Sequence, residues 1–143
     1  MKPAPPPEQD AFVTLQRAAA RLMDGVAELL KPYGLRPPQY NVLRILRGAH
    51  PEQLNCREIA ARMITREPDL TRLLDRLEAA GLVTRTRQSP DRRIVRVGIT
   101  ASGLELLRQL DAPMLALHRG QFAALGPSRL TILARLLRRL LES

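Results

Sequence analysis

Between Arg66 and Arg93 the chain carries polar side chains whose types and spacing suit hydrogen bonding to base edges and phosphates rather than bond making. In the run from Asp69 to Leu77, Leu70, Leu73, Leu74 and Leu77 recur at i, i+3, i+4 and i+7, which is one apolar stripe of a helix. Arg72 falls on the opposite face with Pro68, Asp75 and Ala79, and Asp69, Thr71 and Arg76 lie on its flanks. An outward Arg near a helix start presents parallel N–H donors that match O6 and N7 of guanine; the plainer roles for Arg72 are a solvated surface or a pair with Asp69 or Asp75. Thr71 and Arg76 suit phosphate oxygens, with a pair to Asp91 as the alternative for Arg76. Asp69 could accept from cytosine, but a carboxylate there also favours a helix N-terminus, and that reading is preferred.

A basic ribbon follows. From Thr84 to Val97 there are five Arg (85, 87, 92, 93 and 96) against Asp91, a net charge of +4. Residues 82–87 and 93–99, rich in Val, Ile, Thr and Arg, read as strands, and Gln88-Ser89-Pro90-Asp91-Arg92 as the turn between them. Val95, Val97 and Ile99 alternate onto one face, and Arg85 and Arg87 share a face. Such a ribbon beside a helix is suited to lie along phosphates with its tip in the minor groove. The candidate DNA contacts are therefore Arg66, Pro68, Asp69, Thr71, Arg72, Arg76, Arg87, Asp91, Arg92 and Arg93.

The elements that must position these residues have clear ends. Asn55 and Glu58 have capping-box spacing, and Cys56, Ile59, Ala60 and Met63 form the stripe of a short helix. Only residues 64–67 separate it from the next helix, which Pro68 is placed to open and Gly81 to close. Two short helices joined so tightly form a helix-turn-helix, with the second free to enter a major groove. At this point the run LTRLLDRLEAAGLVTR, then SPDRR, then VGITASG resembles the MarR family of bacterial transcriptional regulators over about a third of the chain. The resemblance rests on Leu70-Thr71-Arg72, Asp75-Arg76-Leu77-Glu78, Gly81-Leu82-Val83, Arg85, Asp91-Arg92-Arg93, Thr100 and Gly103. It implies a winged helix-turn-helix dimerised through its terminal helices, with Asp91 orienting an Arg and Arg92 or Arg93 reaching the minor groove. It also implies an aromatic or phenolic acid effector between the dimerisation helices and the DNA-binding lobe. Tyr33, Tyr40, Arg44 and His118 are placed near such a cleft, although each also reads as a packing or surface residue. Glu67 and Pro68 depart from the small Ser/Thr-rich turn that many members have.

The remaining sequence supplies the frame. Asp10 to about Lys31 is helical, with Phe12, Leu15, Ala19, Leu22, Val26, Leu29 and Leu30 on one side, and residues 1–9 form a Pro-rich tail. Pro37-Pro38 open a helix containing Tyr40, Leu43, Ile45 and Leu46. Thr100 caps a helix to about Gly120 that Pro113 should bend, and Gly126-Pro127-Ser128 starts a last helix rich in Leu and Arg. The expected fold is mainly α with a small β-wing: a winged helix-turn-helix lobe (37–99) between dimerisation helices (10–34 and 101–142). Each long terminal stripe needs a partner surface to cover it.

Bulk properties bound the function. The 143 residues suffice for one domain with a sizeable core, and 45% hydrophobic residues argue against disorder. A net charge of +9 points to a polyanionic partner or a basic surface, and its being carried almost wholly by Arg suits contacts to phosphate and guanine but is equally what a GC-rich genome produces; with the basic ribbon, the partner expected is double-stranded DNA. No apolar run is long enough to cross a bilayer, and MKPAPPPEQD lacks the apolar stretch of a signal peptide, so no membrane partner and a cytoplasmic location are expected. The single Cys56 excludes an internal disulfide and reads as a small buried hydrophobe rather than a reactive thiol. His50 and His118 give no metal spacing, and no phosphate-cradling Gly loop or G-x-S-x-G motif is present, so neither an enzyme nor a cofactor is expected. The function expected is a ligand-responsive repressor that binds a pseudo-palindromic operator as a homodimer. The alternative is a redox-responsive or architectural DNA-binding protein without a small effector.

Overall fold

The computed structural model describes residues 1–87 and 93–143. Helix α1 (Pro7–Leu30) and a 3₁₀ turn (Lys31–Tyr33) lead to α2 (Pro37–Ala49), α3 (Cys56–Arg62) and α4 (Leu70–Ala79). Strands β1 (Val83–Arg87) and β2 (Val95–Ile99) follow, then α5 (Ala101–Gln121) and α6 (Gly126–Glu142). The strands are antiparallel, with Val83 opposite Ile99, Arg85 opposite Val97 and Arg87 opposite Val95.

One apolar cluster holds α2 to β2 together and seats them on α5. It takes Val42, Leu43 and Leu46 from α2, Ile59 from α3, Leu73, Leu74 and Leu77 from α4, Val83 and Val97 from the strands, and Leu107 and Leu110 from α5. The stripe expected on α4 is thus buried at three of its four leucines, with Leu70 partly covered. From α1 only Leu30 is buried, and no residue of α6 is. Phe12 is 62% exposed, and Leu136 and Leu140 are 59% and 61% exposed. The terminal stripes are therefore uncovered in the single chain.

The lobe's joints are tied by backbone groups. Asn55 and Glu58 make the expected reciprocal cap on α3, at 2.9 and 3.1 Å. Helix α4 ends with Gly81 at φ +76°. The Leu82 N–H donates to the Leu77 carbonyl and the Gly81 N–H to that of Glu78, the paired bonds of a Schellman ending. The Thr100 hydroxyl donates to the Gly81 carbonyl at 2.7 Å and accepts from the Gly103 N–H at 3.1 Å, so one side chain joins the end of α4 to the start of α5. A Cβ on Gly103 would stand 2.5 Å from the Leu82 carbonyl oxygen and 2.6 Å from Ile99, so only Gly lets α5 leave the wing here.

Several expectations are corrected. Helix α1 begins at Pro7, inside the stretch read as tail: the fixed φ of Pro7 suits a first helical position, and Glu8 and Asp10 face the positive helix end. Pro68 does not open α4; Asp69 is its N-cap, accepting from the Arg72 N–H at 3.0 Å, and Pro68 precedes the cap. Cys56 is exposed rather than buried, as is Ala60. With only seven residues, α3 turns a narrow face inward, on which Ile59 is buried and Met63 half-buried. A third extended segment, invisible in the pattern, adds to the wing: Leu54 exchanges both backbone bonds with Val97, at 2.9 and 2.7 Å.

Candidate nucleic-acid interface

Helix α4 buries its leucines and turns Thr71, Arg72, Asp75 and Arg76 to solvent. Of its two acids within reach of Arg72, Asp69 is occupied by the cap and Asp75 lies 2.6 Å from Nη2 of Arg85. The guanidinium groups of Arg72 and Arg76 make no hydrogen bond or ion pair among the described residues. Two cations at i and i+4 on an exposed face repel each other mildly. An approaching polyanion would remove that cost, so the face can accept an anionic, hydrogen-bonding surface.

Arg66 and Pro68 lie exposed in the α3–α4 connection, close to the start of α4 in sequence. That connection is held from behind: the Ile64 N–H donates to Oδ1 of Asn41 on α2 at 2.9 Å. Asn41 was missed from sequence, because a single Asn within a helix carries no local signature of such a bond.

The wing has a different charge distribution from the one its composition suggests. Arg85 and Arg87 do share a face, but it is the face of Val83, Val97 and Ile99, which turns toward the lobe. Arg85 is there half-buried, with Nη2 at 2.6 Å from Asp75 and 2.8 Å from Glu78 of α4. The hydrogen bond from Arg85 holds the Glu78 carboxyl below the usual carboxylate range and, with Asp75, raises Arg85. Arg85 is thus a fastening between wing and helix, and its charge is not open to phosphate. Opposite, the Thr86 hydroxyl donates to Gln53 at 3.0 Å, tying the outer face of the wing to the segment before Leu54. Arg87 and Arg93 are exposed at the far end of the strands. Asp91 and Arg92 lie outside the described residues.

The fastening makes a prediction. Arg85→Ala should leave two carboxylates facing each other without their cation and free the wing to swing. Expected are a five- to thirtyfold loss of DNA affinity, by about 1–2 kcal/mol, and little change in the salt slope. Fluorescence anisotropy across a salt series reads both, and a slope lowered by a full unit would make Arg85 a phosphate contact instead.

A second pair joins the lobe to the terminal helices. Arg47 of α2 grips Asp111 of α5 with two parallel bonds, at 2.9 and 3.0 Å, and this hydrogen bonding holds Asp111 below the usual carboxylate range. Both Asp111 and Glu78 therefore contribute above their unfolded pKa values, and the contribution fades as pH falls through the lowered folded ones.

Of the four residues placed near an effector cleft, Tyr40, Arg44 and His118 make local contacts and Tyr33 is exposed. Tyr40 is buried in the core with Arg44 over its ring at 5.9 Å, His118 is bonded to Gln121, and Tyr33 ends the 3₁₀ turn. A cavity of about 860 Å³ lies between α1, α5 and α6, against Leu22, Leu117, Phe122, Leu125 and Leu133. Among the described residues no helix is long and apolar enough to cross a membrane, and no group of three His, Cys, Asp or Glu side chains could hold a metal ion.

Comparison with known proteins follows this geometry. The sequence profile described as the MarR family matches residues 33–94, from the 3₁₀ turn to the second strand. The chain is 33% identical to the HTH-type transcriptional regulator PrsX of Escherichia coli over 94 residues, 66% of this chain and 57% of that protein, so it spans little more than half of that relative's length. A MarR mutant from E. coli, solved in complex with operator DNA, superposes with a TM-score of 0.83 at 25% identity over 92% of this chain and 94% of that one. The crystal structure of a MarR transcription factor from Planctomyces limnophilus is 38% identical with a TM-score of 0.75. The superposition covers 95% of this chain and 98% of that one, terminal helices included. With identity at that level across nearly the whole length, and the capped helix pair and wing in the order described, the chain belongs to the MarR family of transcriptional regulators.

Proposed function

We propose that the protein regulates transcription as a homodimer that binds a pseudo-palindromic site in double-stranded DNA and acts as a repressor released by a small aromatic or phenolic acid. The observation that carries this reading is the exposed pair Arg72 and Arg76, whose guanidinium groups make no ion pair among the described residues, on a helix whose other side is locked into the core. Helix α4 enters the major groove, with Arg72 reading a guanine and Thr71 and Arg76 on phosphates. Asp69 keeps to its cap and acts by fixing the first turn. The wing lies along the adjoining backbone, with Arg87 and Arg93 toward phosphate and Arg92 or Arg93 in the minor groove. The uncovered stripes of α1 and α6 pair with those of a second copy. Two-fold symmetry then sets the two recognition helices about 34–36 Å apart, one helical turn of DNA.

Effector control follows from population shift. A ligand that prefers one spacing of the two lobes changes operator affinity only by its differential affinity for the two spacings. The Arg47–Asp111 bridge lies where that spacing changes.

The test is footprinting on the DNA upstream of the protein's own coding region, with excess nonspecific competitor. Two symmetric protected half-sites one turn apart are expected; one asymmetric half-site bound by a monomer would sink the proposal. In the same assay Arg72→Ala should cost about 1–3 kcal/mol and relax preference at a single base pair. Unchanged sequence preference in that variant removes Arg72 from base reading.

A further inference from the structure

A cleft of about 300 Å³ opens between the start of α2 and the start of α4. Three guanidinium groups line it: those of Arg72 and Arg76, and that of Arg36, the exposed residue immediately before α2. Glu67 and Asp69 also line it, Asp69 accepting the Arg72 N–H at 3.0 Å and Glu67 the Asp69 N–H at 3.3 Å, so the five charged side chains leave the cleft a net charge of +1. Among the described residues none of the three cations has a side-chain hydrogen bond or ion pair. Arg36 stands 36 positions from Arg72 in the chain, and only the packing of α2 against α4 brings them to one cleft.

We propose that Arg36 seats a backbone phosphate of the bound DNA, in a cleft it completes with Arg72 and Arg76. The inference rests on the DNA-binding reading above and extends the interface onto α2. A helix lying in a major groove has a phosphate strand along each side. The wing, fastened by Arg85 to Asp75 and Glu78, serves the strand beside the later turns of α4. The cleft lies at its first turn, on the side of α2, where the other strand passes. A phosphodiester carries one negative charge and two exposed acceptor oxygens, which a planar guanidinium meets with paired donors. Arg36 contributes affinity and register but no base discrimination.

The test compares the full-length protein with Arg36→Ala and Arg36→Lys by anisotropy on the specific site and on unrelated DNA, between 50 and 200 mM salt. Arg36→Ala should weaken both DNAs by the same factor and lower the salt slope by about 0.9 per subunit, about 1.8 for the dimer, so that its deficit shrinks about 12-fold across that range. Arg36→Lys should restore the slope, which a structural role in starting α2 would not do. Circular dichroism checks the fold, and Arg36→Gln replaces Arg36→Ala if α2 loosens. Wild-type protein that binds no DNA overturns both the function and this contact. Wild-type binding with an unchanged slope in Arg36→Ala overturns the contact alone. Inorganic phosphate titrated onto the free protein separates the remaining case: saturation at micromolar phosphate, lost in Arg36→Ala while DNA binding is kept, would make the cleft a site for a free anion and overturn the proposal.

Discussion

Paired Leu136→Glu and Leu140→Glu substitutions are expected to turn the protein into a monomer and abolish operator binding. With Ile132 they lie at i, i+4 and i+8 on α6, exposed by 51%, 59% and 61% in the single chain. Their own chain does not bury them, so its fold has little to lose, within about 0.5 kcal/mol for surface changes. The proposed dimer has much more at stake. Covering one Leu is worth about 1.5–3 kcal/mol. In a two-fold dimer each change occurs twice, so the pair should remove roughly 6–12 kcal/mol from association, at least four decades in the dimer constant. The added carboxylates would also be buried on association. Analytical ultracentrifugation at micromolar protein should show a single monomeric species with an unchanged helical circular dichroism spectrum. Footprinting should then show no protection at concentrations that saturate the wild type. A variant that stays dimeric would mean the copies meet through another face, with the Phe12, Val13 and Leu15 end of α1 the next to test.

Leu74→Ala should be the most damaging single truncation in α4, at about 2–5 kcal/mol of folding stability. Leu74 is fully buried where α4 meets the core, among Leu77, Ile59 and Leu43. Its loss would open a cavity at the point that fixes how α4 stands off the protein. The lower midpoint in urea should come with a melting temperature lower by about 10 °C. DNA affinity should fall as well, but evenly over sequences, because no base contact is touched. That separates it from Arg72→Ala, which should leave the midpoint unchanged and alter preference at one base pair. A loss below about 1 kcal/mol would show that α4 can settle into the gap.

Much of the local geometry is legible in the sequence. The period of Leu70, Leu73, Leu74 and Leu77 assigns one face of α4 to the core, and the complement, with Thr71, Arg72 and Arg76, is left exposed. Asn55 with Glu58, Gly81, and Thr100 with Gly103 act within a few residues of themselves, so their spacing alone carries their roles. The misreadings also have local causes. Pro68 and Asp69 both favour a helix start, and the side-chain bond to the Arg72 N–H decided between them. Cys56 belongs to the stripe by period, yet a seven-residue helix buries only its middle.

The sequence alone therefore determined the order of elements, the helix-turn-helix with its basic wing, the family, and which side of the recognition helix is free. These depend on periodicity, capping and turn chemistry, which are contacts between near neighbours. Only the tertiary structure decided which cations remain available. Arg85 looks like one more basic wing residue, but pairing of β1 with β2 turns it against Asp75 and Glu78 and neutralises it there. Arg36 looks like an isolated charge before a helix, but packing of α2 on α4 brings it to the cleft of Arg72 and Arg76. Leu54 joins Val97, Asn41 holds Ile64 and Arg47 grips Asp111 across separations of 23 to 64 residues for the two side-chain bonds. Such contacts leave no local pattern, because the energy of a long-range pair depends on where the rest of the chain has already folded.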